Sequence, residues 1–185
     1  MKSIFLAIIF MFFKLSISAL SLDELKIKYK NIQSLEAVIL QKKTASYLFS
    51  PIVNDIKLRI KNNTVFWQTL SPEKSEIQLT NNELFIIEKN GNRKKILINE
   101  DSEVKNFIDI ISSIFSLNFE KIQDNFDLKF NARNMTASLR KNSSKQIITS
   151  ILFIFNDNND IAKIIINSKD ETTELNFKKL EIQYK

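Results

Sequence analysis

The side chains that carry out most enzyme chemistry are scarce in this chain of 185 residues, which has no Cys, no His and a single Gly. A thiol nucleophile, a disulfide and a Cys-ligated metal are therefore excluded, and so is an imidazole general base. Most transition-metal sites are disfavoured because His and Cys are absent. A glycine-rich phosphate loop is disfavoured because it needs several glycines. We expect no metal site and no cofactor.

Carboxylate pairs and a Ser–Lys dyad are the remaining candidates for catalysis. The acidic residues lie at predicted turns, as Asp101, Asp157 and Asp160 do, or next to lysines. Nothing in the sequence indicates a carboxyl pair withdrawn from water, the usual origin of a pKa suited to catalysis. No motif supports a Ser–Lys dyad. We therefore predict that the protein is not an enzyme.

The hydrophobic pattern predicts one domain that is mainly β with α. Helical spacing occurs at residues 22–29 and 102–115, with Ser21 and Ser102 as N-caps, and a further helical turn is expected near residues 119–123. Elsewhere apolar and polar residues alternate, which predicts ten or eleven antiparallel strands. The predicted strands are 35–42, 56–61, 64–70, 75–80, 83–88, 94–98, 126–130, 135–139, 150–155, 161–166 and 172–184.

A sheet of this size does not stay flat and open, so we expect it to curl, with the helices over its concave face. One phase of the alternation predicts an apolar concave face, and one face of the second helix closes over it. These residues are Leu35, Ala37, Ile39, Leu58, Ile60, Trp67, Leu84 and Ile86 on the strands, and Ile108, Ile111 and Phe115 on the helix. Two short helices would leave a cavity for an acyl chain. The alternative is a solid core.

The N-terminus has the pattern of a secretory signal peptide. Lys2 is followed by an apolar run over residues 3–13, then by Lys14 and small residues up to Ser21. We expect cleavage after Ala19, which gives a signal peptide at 1–19 and a domain at 20–185. The apolar run is too short to span a membrane, and no Cys follows it for lipid attachment. The expected location is the periplasm.

The charge pattern does not favour nucleic acid. The net charge of +6 includes Lys2 and Lys14, and without them 25 basic residues face 21 acidic ones. The lysines are scattered among Glu and Asp, whereas a nucleic-acid surface has a clustered basic face. We expect a monomer with an apolar ligand.

The order of these features resembles the LolA-like family of periplasmic carriers of outer-membrane lipoproteins. Members share a first strand of the form F-x-A-x-F-x-Q, and a later Trp strand followed by Pro. The matching segments are Leu35-x-Ala37-x-Ile39-x-Gln41, Ile56-x-Leu58-x-Ile60-Lys61 and Val65-Phe66-Trp67-Gln68-x-x-x-Pro72. The last segment is most similar to a LolA-related subgroup that is encoded beside glycolipid or polyene biosynthesis genes.

The resemblance implies a curved antiparallel half-barrel that is closed by helices over a hydrophobic cavity. It implies a carrier that holds the acyl chains of a lipoprotein or other lipid on the way from the inner to the outer membrane, without a cofactor. The implied partners are that cargo, an inner-membrane ABC-type releasing complex and an outer-membrane receptor. The alternative is a lipid-sensing module, or an accessory to glycolipid or polyene export, with the same fold.

One family feature is altered in this chain. Other members have a basic residue and a Pro at the turn before the Trp strand, and that basic residue helps couple closure of the cavity to lipid release. Asn62 stands at the matching position here, and no Pro follows it. Lys61 could take over part of the role, so Lys61 and Asn62 are the gating candidates.

Overall fold

The computed structural model describes residues 20–62, 64–80, 83–88, 90–97, 103–140 and 148–184. The predicted signal peptide at 1–19, the turn predicted at 81–82 and the predicted N-cap Ser102 lie outside these ranges. None of the helices in the described ranges is long and apolar enough to cross a membrane.

The described residues form three helices and one sheet of eleven strands. The helices are α1 (Leu22–Tyr29), α2 (Glu103–Phe115) and α3 (Phe119–Asn125). The strands are β1 (Ile32–Ala45), β2 (Ile52–Lys61), β3 (Thr64–Ser71), β4 (Ser75–Leu79), β5 (Glu83–Ile87), β6 (Arg93–Leu97), β7 (Phe126–Asn131), β8 (Asn134–Leu139), β9 (Ile148–Phe155), β10 (Ile161–Ser168) and β11 (Glu171–Tyr184). Each strand that the sequence predicts is confirmed.

The sheet is antiparallel throughout and runs in the order β6-β5-β4-β3-β2-β1-β11-β10-β9-β8-β7. Chain neighbours pair with each other, except that β1 pairs with β11 and joins the first half of the sheet to the second. The sheet is curved and stays open, with β6 and β7 at its edges. The helices pack against the face that carries the buried side chains, which we call the concave face. The predicted fold class is confirmed: the protein is mainly β with α, and its curved antiparallel sheet forms a half-barrel.

Local sequence signals account for several element ends. The Ser21 hydroxyl accepts from the backbone N–H of Glu24 at 3.3 Å, and the Glu24 carboxylate accepts from the N–H of Ser21 at 3.0 Å. This capping box starts α1 at the predicted residue. Gly91, with φ of +82°, makes the turn between β5 and β6 in a conformation that suits glycine.

The helices fill one part of the concave face with a solid core. Phe119, at the start of α3, lies at its centre and is 2% exposed. Its ring lies 5.6 Å from that of Tyr29 on α1, and 5.7 and 6.3 Å from those of Phe153 and Phe155 on β9. Ile122 of α3 is buried as well. Helices α1 and α3 therefore act together as a plug against the end of β9.

Tyr29 ties this plug to the turn between β9 and β10. Its hydroxyl donates to the Asn159 carbonyl at 3.0 Å and accepts from the backbone N–H of Ile161 at 3.2 Å. Burial raises the pKa of Tyr29 well above its usual range, so the hydroxyl stays neutral. Lys28 adds an ion pair with Asp160 at 2.7 Å.

The Tyr29 hydroxyl gives a testable contribution to stability. We expect Tyr29→Phe to lower the free energy of unfolding by about 1–3 kcal/mol, because the buried N–H of Ile161 loses its acceptor. Urea unfolding followed by circular dichroism measures the change. Tyr184→Phe is the matched control: this tyrosine is 46% exposed, and its change should stay within about 0.5 kcal/mol. Equal effects of the two variants would contradict the assignment.

Candidate functional site

Strand register places the predicted apolar residues on one face of the sheet. Directly paired residues in antiparallel strands share a face, and residues two apart along a strand do too. One row of paired residues comprises Leu35, Ile60, Val65, Leu79 and Leu84. The next row comprises Ala37, Leu58, Trp67, Ile77 and Ile86. Ile39 pairs with Ile56 in a third row.

Burial divides the predicted site residues into two groups. Six of them are at most 7% exposed and belong to the packed core: Leu35, Ala37, Ile39, Leu58, Ile60 and Ile108. The other five are partly exposed: Trp67, Leu84, Ile86, Ile111 and Phe115. Leu35 and Ile60 also line a cavity beside the start of β1, whereas Ala37, Ile39, Leu58 and Ile108 line neither that cavity nor the one beside Trp67.

A cavity of about 190 Å³ lies between α2 and the strands β1, β3, β9, β10 and β11, and it is partly open to solvent. Its apolar wall consists of Trp67, Phe107, Ile111, Phe115, Ile148, Ile166 and Leu175. The rings of Trp67 and Phe115 lie 4.7 Å apart at an angle of 32°. Three predicted site residues, Trp67, Ile111 and Phe115, thus come together in one cavity.

The cavity also has a polar side, which we call the rim: Gln41, Lys43, Ser168, Glu171 and Thr173. All but Lys43 line the cavity directly. The Lys43 ammonium lies 2.8 Å from Glu171 Oε2, and the Tyr47 hydroxyl donates to the same oxygen at 2.9 Å. These bonds lower the pKa of Glu171 and raise that of Lys43. Gln41 accepts from the Asn54 amide at 2.7 Å.

A larger cavity of about 390 Å³ lies between α1, the start of β1 and the turn from α2 to α3. Many of its lining residues are charged or polar, among them Lys26, Lys30, Gln33, Asn118 and Glu120. Charged groups keep their solvation in such a space, so it suits water better than an acyl chain. The chemistry of the lining, and not the volume, makes the smaller cavity the candidate site.

The two gating candidates lie away from the candidate cavity. Asn62 lines the larger cavity and has φ of +51° in the turn between β2 and β3. Lys61 is exposed at the end of β2. Neither residue is among those that line the Trp67 cavity.

Comparison with known proteins finds matches in structure only. No family model and no curated protein matches the sequence. The fold is similar to that of a LolA superfamily protein from Nitrosomonas europaea, with 9% identity and a TM-score of 0.44, over 89% of this chain and 94% of that chain.

Two further solved structures have a similar fold. A protein domain from Vibrio parahaemolyticus assigned to outer membrane lipoprotein sorting has 9% identity and a TM-score of 0.40, over 86% of this chain and 91% of that chain. LprF from Mycobacterium bovis has 8% identity and a TM-score of 0.38, over 86% and 90%.

Sequence patterns could have found some of the lining residues that the prediction missed. Phe107 follows from Ile111 and Phe115, because the three are spaced by four residues along α2. Leu175 and Thr173 follow from alternation along β11. No local signal brings β11 next to β1, because their pairing joins Gln41 to a residue more than a hundred positions away.

The described residues contain no group of three or more His, Cys, Asp or Glu side chains that could hold a metal ion. The residues that line the candidate cavity offer apolar contact along one wall and hydrogen bonding along the rim.

Proposed function

We propose that this protein is a periplasmic carrier, which holds an acyl chain of a lipoprotein or other lipid in the cavity beside Trp67 and moves it from the inner toward the outer membrane. The observation that carries the proposal is the apolar wall between α2 and the concave face of the sheet. The resemblance of the strand motifs to the LolA-like family supports the same function.

The size of the cavity fits part of one chain. An apolar cavity of about 150 Å³ in another protein stays dry and binds benzene, and the cavity here measures about 190 Å³. Each buried CH₂ group contributes about 0.8 kcal/mol. About ten methylenes, some in the cavity and some along its open side, would contribute about 8 kcal/mol, which corresponds to a micromolar complex before ordering costs.

The proposed movement between the two membranes rests on export to the periplasm and on an acylated cargo. A signal peptide at residues 1–19 would place the domain in the periplasm, where a free acyl chain must be shielded from water. By resemblance, an inner-membrane ABC-type complex would load the carrier and an outer-membrane receptor would unload it.

Trp67 provides a direct test, because it is the single Trp of the sequence and lines the cavity. We expect a fatty acid brominated along its chain to quench most of the Trp67 fluorescence on binding, because bromine quenches only at short range. An unbrominated fatty acid of equal length should shift the emission to shorter wavelength without quenching it. Titration with each ligand below its aggregation concentration measures both effects.

The neighbouring residue offers a matched control. Phe66 lies one position before Trp67, so its side chain faces the convex side, where its ring lies 4.7 Å from the guanidinium of Arg59. In the double variant Trp67→Phe with Phe66→Trp, we expect quenching to be lost. Equal quenching in both proteins would place the chain outside the cavity and contradict the proposed function.

A further inference from the structure

We infer that the rim binds the polar head group of the cargo and selects an uncharged head group bearing hydroxyl or ester groups, such as a glycerol ester, over an anionic one. This inference rests on the proposed function, since it places the head group at the open side of the same cavity.

The rim lies on the concave face at one end of the apolar wall. Lys43 pairs with Thr173, and Gln41 pairs with Leu175, so these side chains share the face of the cavity. Thr173 and Leu175 both line the cavity, one polar and one apolar, only two residues apart on β11. An acyl chain against the apolar wall would thus present its head group to the rim.

The rim carries no net charge. It contains one ammonium group, on Lys43, and one carboxylate, on Glu171, and the two form an ion pair. The side chains of both residues are about one third exposed. An anionic head group beside Lys43 would also lie beside the Glu171 carboxylate, which already neutralises the ammonium, so it would gain little attraction and meet like-charge repulsion. An uncharged head group leaves the pair intact.

The rim offers hydrogen bonds to such a head group. Lys43 and Tyr47 both donate to Oε2 of Glu171, so Oε1 is the oxygen on the side chain that a ligand hydroxyl can use. The Gln41 and Thr173 side chains line the same cavity and add further polar groups. A hydroxyl group can both donate and accept, so it matches this mixture of partners better than a carboxylate.

The test compares two ligands with the same chain, monolauroylglycerol and laurate, at pH 8 and below their aggregation concentrations. Trp67 emission gives the two dissociation constants. We expect the wild-type protein to prefer monolauroylglycerol. Glu171→Gln leaves Lys43 without its carboxylate, so laurate affinity should rise about tenfold. Lys43→Met leaves the carboxylate alone, so laurate affinity should fall.

An ion pair on the opposite face provides matched controls. Lys163 and Glu174 lie 2.6 Å apart with exposures of 28% and 29%, and Glu174 alternates with the cavity residues Thr173 and Leu175, so it faces the convex side. Lys163→Met and Glu174→Gln should leave the preference unchanged. If Glu171→Gln keeps the wild-type preference while both ligands bind, the rim is not the head-group site. If neither ligand binds the wild-type protein, the proposed function itself is wrong.

Discussion

Replacing Phe119 by Ala is expected to lower the free energy of unfolding by about 3–5 kcal/mol, the usual cost of removing a fully buried Phe. Its ring lies within 6.3 Å of those of Tyr29, Phe153 and Phe155, so truncation leaves a cavity between α1, α3 and β9. Ala is a good helix former, so the helix itself loses little. For a chain of this length the loss corresponds to roughly 6–20 °C in Tm, measurable by calorimetry.

Phe115→Ala is the matched comparison for Phe119→Ala, because it removes a ring that lines the cavity and not one in the solid core. Phe115 ends α2 four residues earlier, but it lines the cavity and packs only partly. Its truncation should cost about 1–2 kcal/mol and should enlarge the cavity beside Trp67. If the two variants lost equal stability, the concave face would be filled evenly. That result would contradict the division into a plugged part and a cavity.

The strands and the fold class could be predicted from the sequence because period-two alternation is a local property. Leu58 and Ile60, for example, face inward between charged residues that face outward, and the register of β2 preserves that alternation. The helices follow from equally local signals, the Ser21 capping box and the four-residue spacing on α2. Such signals need no knowledge of distant contacts.

The alternation of inward and outward side chains does not predict the facing of residues in β11 beyond the point where its pairing with β1 is irregular. The register between β1 and β11 shifts, because Val38 pairs with Lys179 but Ile39 pairs with Phe177. The extra residue Lys178 moves Leu180 onto the face that Phe177 occupies, a change of parity typical of a β-bulge. In the sequence, Lys178 and Lys179 stand next to each other where an apolar residue would continue the alternation. The sequence does not show that β1 is the strand that pairs with this segment.

The division of the concave face into plug and cavity could not be predicted for a related reason. It depends on Tyr29 of α1 meeting Phe119 of α3, a contact between segments about half the chain apart. The predicted site therefore combined residues of both regions. Trp67, Ile111 and Phe115 line the cavity, whereas Leu35 and Ile39 lie in the packed core. The rim was missed entirely, since its acidic residue reaches the cavity only through the β1–β11 pairing.

Introducing a charge into the apolar wall should remove ligand binding without unfolding the protein. We expect Ile111→Asp to weaken binding of an apolar fluorescent probe at least about a hundredfold. An apolar ligand in the cavity would have to displace the water around the carboxylate, and the loss of that hydration is strongly unfavourable. Ile111 is partly exposed and the cavity is partly open, so the charge stays solvated and the fold survives. Probe titration and circular dichroism measure the two properties separately.

Two other isoleucines set the limits of this experiment. Ile27→Asp, at a position 76% exposed on α1, should change neither folding nor probe binding. Ile114→Asp, at a fully buried position three residues from Ile111, should unfold the protein. Should Ile111→Asp also unfold, Ile111→Trp replaces it: this variant fills the cavity with apolar atoms, so it should bind less probe while its Tm stays the same or rises. A folded Ile111 variant that binds the probe as tightly as the parent would refute the cavity as the lipid site.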